Sequence, residues 1–179
     1  VDEYLQDKIV KSPERGTSKP AGLNSGAFPL SRLTDESCID LNLKSKTVDG
    51  ILYELAEIAY KSNITVSVEK LMIQLKKREQ MLSTAIGKGI AIPHPRNPSD
   101  DLFKKACIVI GRSVEGANFN APDNKAVKHV FLIIAPYTNT PGYLATVARL
   151  VKVISDSKNK KALFNASTKK DILMILKNG

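Results

Sequence analysis

Two nearly continuous apolar runs constrain the fold of this chain. They span residues 105–111 and 127–135, and neither alternates polar with apolar positions in the usual way. Runs of this length and kind are typical of β-strands that are covered on both faces. Helical spacing of apolar residues occurs in four further segments: residues 48–60, 66–81, 144–154 and 167–176. Helices alternating with buried strands predict an α/β sandwich.

The N-terminal part of the chain differs in character from the rest. Residues 12–32 are rich in Pro, Gly and Ser and hold too few apolar residues for a core. We therefore predict a flexible linker over residues 1–33 and a folded domain over residues 34–179. Residues 1–10 could form a short amphipathic helix. Because the first residue is Val1 and not Met, we expect a fragment or processed product whose linker once joined the domain to something upstream.

The net charge of +9 lies mostly on the predicted domain, since residues 34–179 carry a surplus of +8. Basic clusters at residues 76–78 and 158–161 fall in helix-like contexts, where a solvated face is the favoured interpretation. Nucleic acid or an anionic membrane is the alternative. No RNP-like aromatic pattern, zinc knuckle or complete helix-turn-helix supports direct nucleic-acid binding.

The two cysteines, Cys38 and Cys107, lack metal-ligand spacing, and Cys107 has strongly apolar neighbours. Buried free thiols are favoured over a disulfide, which suggests a reducing, cytoplasmic setting. The longest apolar run, residues 130–136, is too short to cross a bilayer, and the start of the chain shows no charged-then-apolar leader. We expect a soluble protein with no transmembrane segment, no metal site and no cofactor.

His94 is the residue most suggestive of chemistry. It follows a strand-like piece at residues 90–92 and stands between Pro93 and Pro95, which fix the local backbone and donate no N–H. A neutral imidazole can attack phosphorus and hold a phosphoryl group, and a pKa near 6.5 keeps much of an ordinary histidine neutral at cellular pH. The other histidine, His129, begins a buried strand and is expected to be structural.

A family pattern surrounds this histidine. Residues 78–84 read Arg-Glu-Gln-Met-Leu-Ser-Thr, and residues 85–94 read Ala-Ile-Gly-Lys-Gly-Ile-Ala-Ile-Pro-His. The stretch closely resembles the enzyme IIA domain of the fructose/mannitol and nitrogen-regulatory type (type 2) of the bacterial phosphoenolpyruvate-dependent phosphotransferase system. The likeness continues through residues 121–136 and the helix after Pro141, so it covers about residues 34–179. It implies a mixed β-sheet sandwiched between helices.

The resemblance also implies roles for individual residues. His94 would be the acceptor of a phosphoryl group from the histidine-containing phosphocarrier protein, which makes the chain a phosphotransferase. Arg78 matches the active-site arginine of the family, and its planar fork of donors could bind phosphoryl oxygens. A surface charge at a helix end is the alternative for Arg78. Ser83 and Thr84 could donate hydroxyl hydrogen bonds to the phosphoryl group, although capping and turn formation would also explain them.

Two positions depart from the family pattern. Tyr143 stands where a second histidine usually begins the next helix; a tyrosine can still hydrogen-bond a phosphoryl oxygen, but it does not readily become cationic. Pro95 replaces a common glycine, and Arg96 beside it could add a phosphate-binding cation. Slower transfer or a less stabilised phosphorylated state is expected from the first departure.

The fate of the phosphoryl group divides the functional hypotheses. Neither cysteine has the loop-plus-helix context of a IIB phosphate site, so we expect no IIB domain in the sequence. Because sugar-permease sequence is also lacking, a regulatory enzyme IIA of the nitrogen type, read by a partner protein, is favoured. The alternatives are a sugar-specific fructose or mannitol component that serves a IIB domain, and a non-catalytic regulatory binding module. A third is the sensor domain of a transcriptional regulator, since residues 1–5 look like the end of an excisionase-type DNA-binding domain.

Overall fold

The computed structural model describes residues 29–95, 101–136 and 140–178, and a five-stranded mixed sheet lies at its centre. The strands, in chain order, are β1 (Ile39–Leu43), β2 (Ala85–Gly87), β3 (Ile90–Ala91), β4 (Cys107–Ala117) and β5 (Val127–Ile134). Across the sheet their order is β1, β4, β5, β3, β2. The pairs β1–β4 and β3–β5 are parallel, and the other two pairs are antiparallel.

Five α-helices pack on the sheet in two layers. They are α1 (Val48–Lys61), α2 (Val68–Met81), α3 (Thr140–Ser155), α4 (Ser157–Asn165) and α5 (Lys169–Lys177). Four of them directly follow a residue whose side-chain oxygen accepts a backbone N–H of the first turn: Thr47, Ser67, Asp156 and Thr168. Such caps satisfy donors that a helix leaves unpaired.

The central strands explain the apolar runs, because both faces of the sheet are covered. In β4 and β5, Val109 and Leu132 belong to the core beneath α1 and α2. Their neighbours Ile108 and Phe131 belong to the opposite core beneath α3, α4 and α5. Since successive side chains of a strand point to opposite faces, a segment covered on both faces is apolar at successive positions. The predicted mixed sheet between helices is confirmed.

Several local features differ from the sequence predictions. The helix predicted from residue 144 begins at Thr140, and β4 runs six residues beyond the predicted end at Gly111. The hairpin of β2 and β3 is too short to produce a recognisable alternation. Its connection, Lys88-Gly89, has φ values of 58° and 78°, which suits the tight turn that joins two antiparallel strands.

The start of the domain is also better defined. Leu30 and Leu33 are 1% and 9% exposed and belong to the core beneath α3, α4 and α5. Ordered packing therefore includes the last residues of the segment predicted as linker, while the division at residues 33 and 34 stays a prediction. The helix predicted over residues 1–10 lies outside the described residues. None of the described helices has the length and apolar character needed to span a membrane.

Candidate active site

His94 lies just beyond β3, on a segment held to the neighbouring strand. The ladder with β5 continues past the end of β3, since the backbone N–H of Ile133 donates to the carbonyl of Pro93 over 3.0 Å. The His94 side chain is half-buried, and Pro95 after it is buried. His94 therefore follows a segment that is hydrogen-bonded to the sheet, and it does not lie on a free loop.

Arg78 lies in the last turn of α2 and reaches this histidine. Its Nε donates to Nε2 of His94 over 3.0 Å, and its Nη1 donates to the carbonyl of Leu82 over 2.7 Å. The residue is 7% exposed. A solvated charge at a helix end would not be buried in this way, so that alternative is wrong. The arrangement brings together the two residues expected to carry the chemistry.

The hydrogen bonds of His94 define its tautomer. Arginine nitrogen can only donate, so Nε2 of the imidazole must accept with its lone pair. The other nitrogen, Nδ1, lies 3.1 Å from the carbonyl oxygen of Ile92, which can only accept, so Nδ1 carries the hydrogen. These two contacts correspond to a neutral ring with its lone pair on Nε2. A neutral imidazole with a directed lone pair is a nucleophile.

A chain of hydrogen bonds connects the end of α2 to His94. The carboxylate of Glu79 accepts from the backbone N–H of Thr84 over 3.0 Å and from its hydroxyl over 2.7 Å. The Thr84 carbonyl in turn accepts from the N–H of Ile92 over 2.9 Å, and the Ile92 carbonyl binds Nδ1 of His94. Glu79 thus fixes the backbone that orients the imidazole. Sequence reasoning assigned it no role, although a carboxylate five residues before a threonine was visible.

The two hydroxyls expected to bind phosphate point elsewhere. Ser83 Oγ donates to the carbonyl of Phe119 and accepts from the N–H of Ala85 over 3.1 Å. Thr84 donates its hydroxyl hydrogen to Glu79. Neither hydrogen is directed at His94 in this arrangement, so both residues support the turn after α2. Their part in phosphoryl binding stays a prediction.

Tyr143 lies in the first turn of α3 and faces the histidine across the site. The ring centroids of His94 and Tyr143 are 6.4 Å apart and the rings meet edge to face. Tyr143, which departs from the family pattern, therefore lies beside His94, the predicted phosphoryl acceptor. Arg96, the other predicted phosphate-binding residue, lies outside the described residues.

His129 differs from His94 in its burial and in its neighbours. It is 1% exposed and packs edge-on against Phe164, with 4.5 Å between ring centroids. Burial lowers the pKa of His129 to about 4, and the nearby charges of Arg112 and Lys128 act in the same direction. A buried ring that resists protonation supports the expected structural role. Among the described residues, no group of three or more His, Cys, Asp or Glu side chains could hold a metal ion.

Comparison with known protein families identifies the family of the domain that carries this site. Residues 32–179 match the family model described as "Phosphoenolpyruvate-dependent sugar phosphotransferase system, EIIA 2". The chain belongs to this EIIA type 2 family. Domains of the family are phosphoryl-transfer carriers that interact with IIB domains and phosphorylated carrier proteins.

Relatives of this EIIA domain include a sugar-specific protein and a nitrogen regulatory protein. The "PTS system fructose-specific EIIA component" of Haloferax volcanii is 26% identical over 147 residues, which cover 82% of this chain and 94% of that protein. The "Nitrogen regulatory protein" of Klebsiella oxytoca is 28% identical over 153 residues, covering 86% and 93%. The crystal structure of nitrogen regulatory protein IIA-Ntr from Neisseria meningitidis superimposes with a TM-score of 0.74 at 25% identity, covering 82% of this chain and 97% of that one.

Proposed function

We propose that His94 accepts a phosphoryl group on Nε2 from the histidine-containing phosphocarrier protein. The observation that carries the proposal is the pair of hydrogen bonds that leaves the lone pair of a neutral imidazole on Nε2, beside the guanidinium of Arg78. Membership of the EIIA family supports a phosphocarrier protein as the donor. Exposed apolar side chains at Met81, Leu82 and Ile86 follow Arg78 in the chain and favour a protein surface as the donor.

The transfer can be written with all atoms balanced. The lone pair on Nε2 of His94 attacks phosphorus, a nitrogen–phosphorus bond forms, and the bond between phosphorus and the donor's histidine nitrogen breaks. That donor nitrogen keeps the electron pair. The Nδ1–H bond to the carbonyl of Ile92 stabilises the positive charge that the His94 ring acquires.

Arg78 has to change partners during this step. Its Nε–H binds the attacking lone pair in the unphosphorylated site, and the incoming phosphoryl oxygens offer stronger, negatively charged acceptors. Phosphoryl transfer depends mainly on positioning and on stabilising charge on the equatorial oxygens. Arg78 is the charged residue placed to do both.

The proposal is tested by incubating the chain with phosphoenolpyruvate, enzyme I and the phosphocarrier. One acid-labile phosphate should be added to the wild type and none to His94→Ala. His129→Gln is the matched control, because His129 is the only other histidine of the chain and should leave labelling intact. Absence of labelling in the wild type, or labelling that survives His94→Ala, contradicts the proposal.

We further propose a regulatory role of the nitrogen type, in which a partner protein reads the phosphorylation state. The likeness to the Neisseria IIA-Ntr structure supports this choice, while the fructose-specific relative keeps a sugar-specific role as the second candidate. The phosphorylated chain should keep its phosphate when mixed with a fructose-type or a mannitol-type IIB domain. Rapid transfer to a IIB cysteine would assign the chain to sugar transport instead.

The remaining alternatives are separated by binding experiments. A binding module without transfer predicts partner binding that is unchanged by His94→Ala, whereas phosphorylation-dependent reading predicts a difference between the phosphorylated and unphosphorylated chains. An upstream DNA-binding domain stays a prediction, since residues 1–5 lie outside the described residues and the family match begins at residue 32. Localisation in the cytoplasm is proposed because both cysteines are free thiols, which fits a reducing compartment.

A further inference from the structure

Two cysteines far apart in sequence meet inside the domain, outside the candidate active site. Cys38 ends the short 3₁₀-helix that leads into β1, and Cys107 is the first residue of β4. Cys107 Sγ donates to Cys38 Sγ over 3.5 Å, and the residues are 3% and 1% exposed. Both thiols are reduced. A disulfide requires a sulfur–sulfur distance of about 2.05 Å, so a closure of roughly 1.5 Å would join them.

The two sulfurs have unequal environments. The hydrogen bond from Cys107 lowers the pKa of the Cys38 thiol to about 6, against the opposing effect of burial, and the Ser37 hydroxyl adds to the lowering. The same pair and its burial raise the pKa of Cys107. Of the two thiols, Cys38 is therefore the more acidic and the more readily ionised. A thiolate is the form of cysteine that attacks an oxidant.

A narrow cleft beside the active site reaches Cys107, one member of this pair. Cys107 lines it, together with Leu33 from the segment before β1 and Tyr143 from α3. Tyr143 is the residue whose ring meets His94 edge to face.

We propose that Cys38 and Cys107 form a modification site at which hydrogen peroxide produces an intramolecular disulfide. The Cys38 thiolate attacks one peroxide oxygen, a sulfur–oxygen bond forms, the oxygen–oxygen bond breaks, and hydroxide leaves. Cys107 sulfur then attacks the sulfenic acid sulfur, the sulfur–oxygen bond breaks, and the Cys107 proton leaves with the second hydroxide as water. Two thiols are oxidised, and peroxide is reduced to two waters once the first hydroxide takes a proton.

The test treats the reduced chain, residues 1–179, with hydrogen peroxide, blocks remaining thiols with iodoacetamide and maps the peptides without reduction. The wild type should give one peptide that joins Cys38 to Cys107, and a thiol reductant should restore both free cysteines. Cys107→Ala should stop at a sulfenic acid on Cys38, which dimedone traps. Cys38→Ala should show little sulfenic acid at Cys107, since its thiol stays protonated.

Two further measurements distinguish altered cysteine chemistry from poor folding of a variant. Circular dichroism establishes that each variant is folded, and wild-type chain oxidised in denaturant shows what the same cysteines do without the fold. The disulfide should form faster in the folded chain than in the denatured one. Two unmodified thiols, oxidation to sulfinic acid, or a disulfide that forms only after unfolding would overturn the proposal. None of these results depends on phosphorylation of His94.

Discussion

The guanidinium of Arg78 donates to the lone pair on Nε2 of His94, so the arginine covers the nitrogen that is proposed to attack phosphorus. The same arginine is anchored through Nη1 to the carbonyl of Leu82. Attack requires the Nε–H to swing away while the anchor holds the guanidinium nearby. The resting site is therefore capped by the group that is proposed to stabilise the product.

Replacing Arg78 should slow the transfer more than its charge alone would suggest. Arg78→Lys keeps a cation but loses the planar fork that can bind two oxygens, and Arg78→Gln loses both. Removal of a positioned donor from a reacting oxyanion typically costs about 10²–10³ in rate, so we expect that loss for Arg78→Gln and a smaller one for Arg78→Lys. The measurement is the initial rate of His94 phosphorylation by the phosphocarrier.

Lys77→Gln is the matched control for Arg78→Gln, because Lys77 is exposed in the same helical turn and the change removes the same charge. Its rate should stay close to that of the wild type. Equal losses in the two variants would mean that the basic surface attracts the donor and that Arg78 has no special position.

Loss of the Glu79 carboxylate should affect both stability and catalysis. Glu79→Ala leaves the backbone N–H and hydroxyl of Thr84 without their acceptor. An unsatisfied partly buried polar group costs about 1–3 kcal/mol, so urea unfolding should shift to lower denaturant. Phosphorylation should also slow, because the Thr84 and Ile92 backbone orients the His94 ring.

Gln80→Ala serves as the comparison for Glu79→Ala, since Gln80 is the exposed neighbour on the same helix. A double-mutant cycle with Thr84→Val isolates the carboxylate–hydroxyl pair. If Glu79→Ala is less stable but transfers at the wild-type rate in the folded fraction, the hydrogen-bond chain holds the fold and does not position His94.

Tyr143→His should restore the second histidine of the family pattern and stabilise the phosphorylated state. The tyrosine ring lies 6.4 Å from the His94 ring, centroid to centroid, and an imidazolium there could donate to a phosphoryl oxygen. A hydrogen bond from a charged group is worth about 1.5–3 kcal/mol, so hydrolysis of the phosphohistidine should slow by roughly tenfold or more. The effect should weaken as pH rises above about 6.5, where an ordinary histidine loses its proton.

Tyr143→Phe separates the new charge from the loss of the hydroxyl. It should change the hydrolysis rate of the phosphorylated chain far less than Tyr143→His does. A half-life that is the same in all three proteins at every pH would show that position 143 does not reach the phosphoryl group.

His129 should make the stability of the domain depend on pH. Burial holds the pKa of the folded-state ring at about 4, below the ordinary 6.5 of an unfolded chain. Between these two pH values the unfolded chain binds more protons than the folded chain. The free energy of unfolding should therefore fall as pH drops from about 6.5 towards 4. Above pH 6.5 the ring is neutral in both states, and its contribution to stability is complete. The difference corresponds to about 3 kcal/mol at most.

Urea titrations from pH 4.5 to 7.5 measure this dependence. His129→Gln removes the titrating ring, so its unfolding free energy should vary less over that range, whatever the overall cost of the substitution. Identical slopes for the wild type and His129→Gln would locate the pH dependence in other groups.

The sequence predicted the parts of the structure that repeat a pattern over many residues. The apolar runs of β4 and β5 must be covered on both faces, and the helical spacing near Leu71 and Leu150 shows which helix faces cover them. Pro93 and Pro95 made His94 conspicuous. The site around it was less visible, because a hydrogen bond between Arg78 and His94 joins residues sixteen positions apart.

Residue type alone does not show which partner a side-chain hydroxyl will bind. Ser83 and Thr84 were expected to bind phosphate, yet their hydroxyl hydrogens go to Phe119 and Glu79. Glu79 had no assigned role, because nothing in its sequence position shows that two Thr84 donors turn towards it. Such contacts depend on how the chain leaves a helix, which spacing does not encode.

The bond between Nδ1 of His94 and the carbonyl of Ile92 leaves the ring a single usable nitrogen. A protein that delivers a phosphoryl group and a protein that receives it would both have to approach Nε2 from the same side. The two could not be bound at once, so each would act as a competitive inhibitor of the other. Signalling through such a domain would then depend on the relative abundance of its partners as well as on the supply of phosphate.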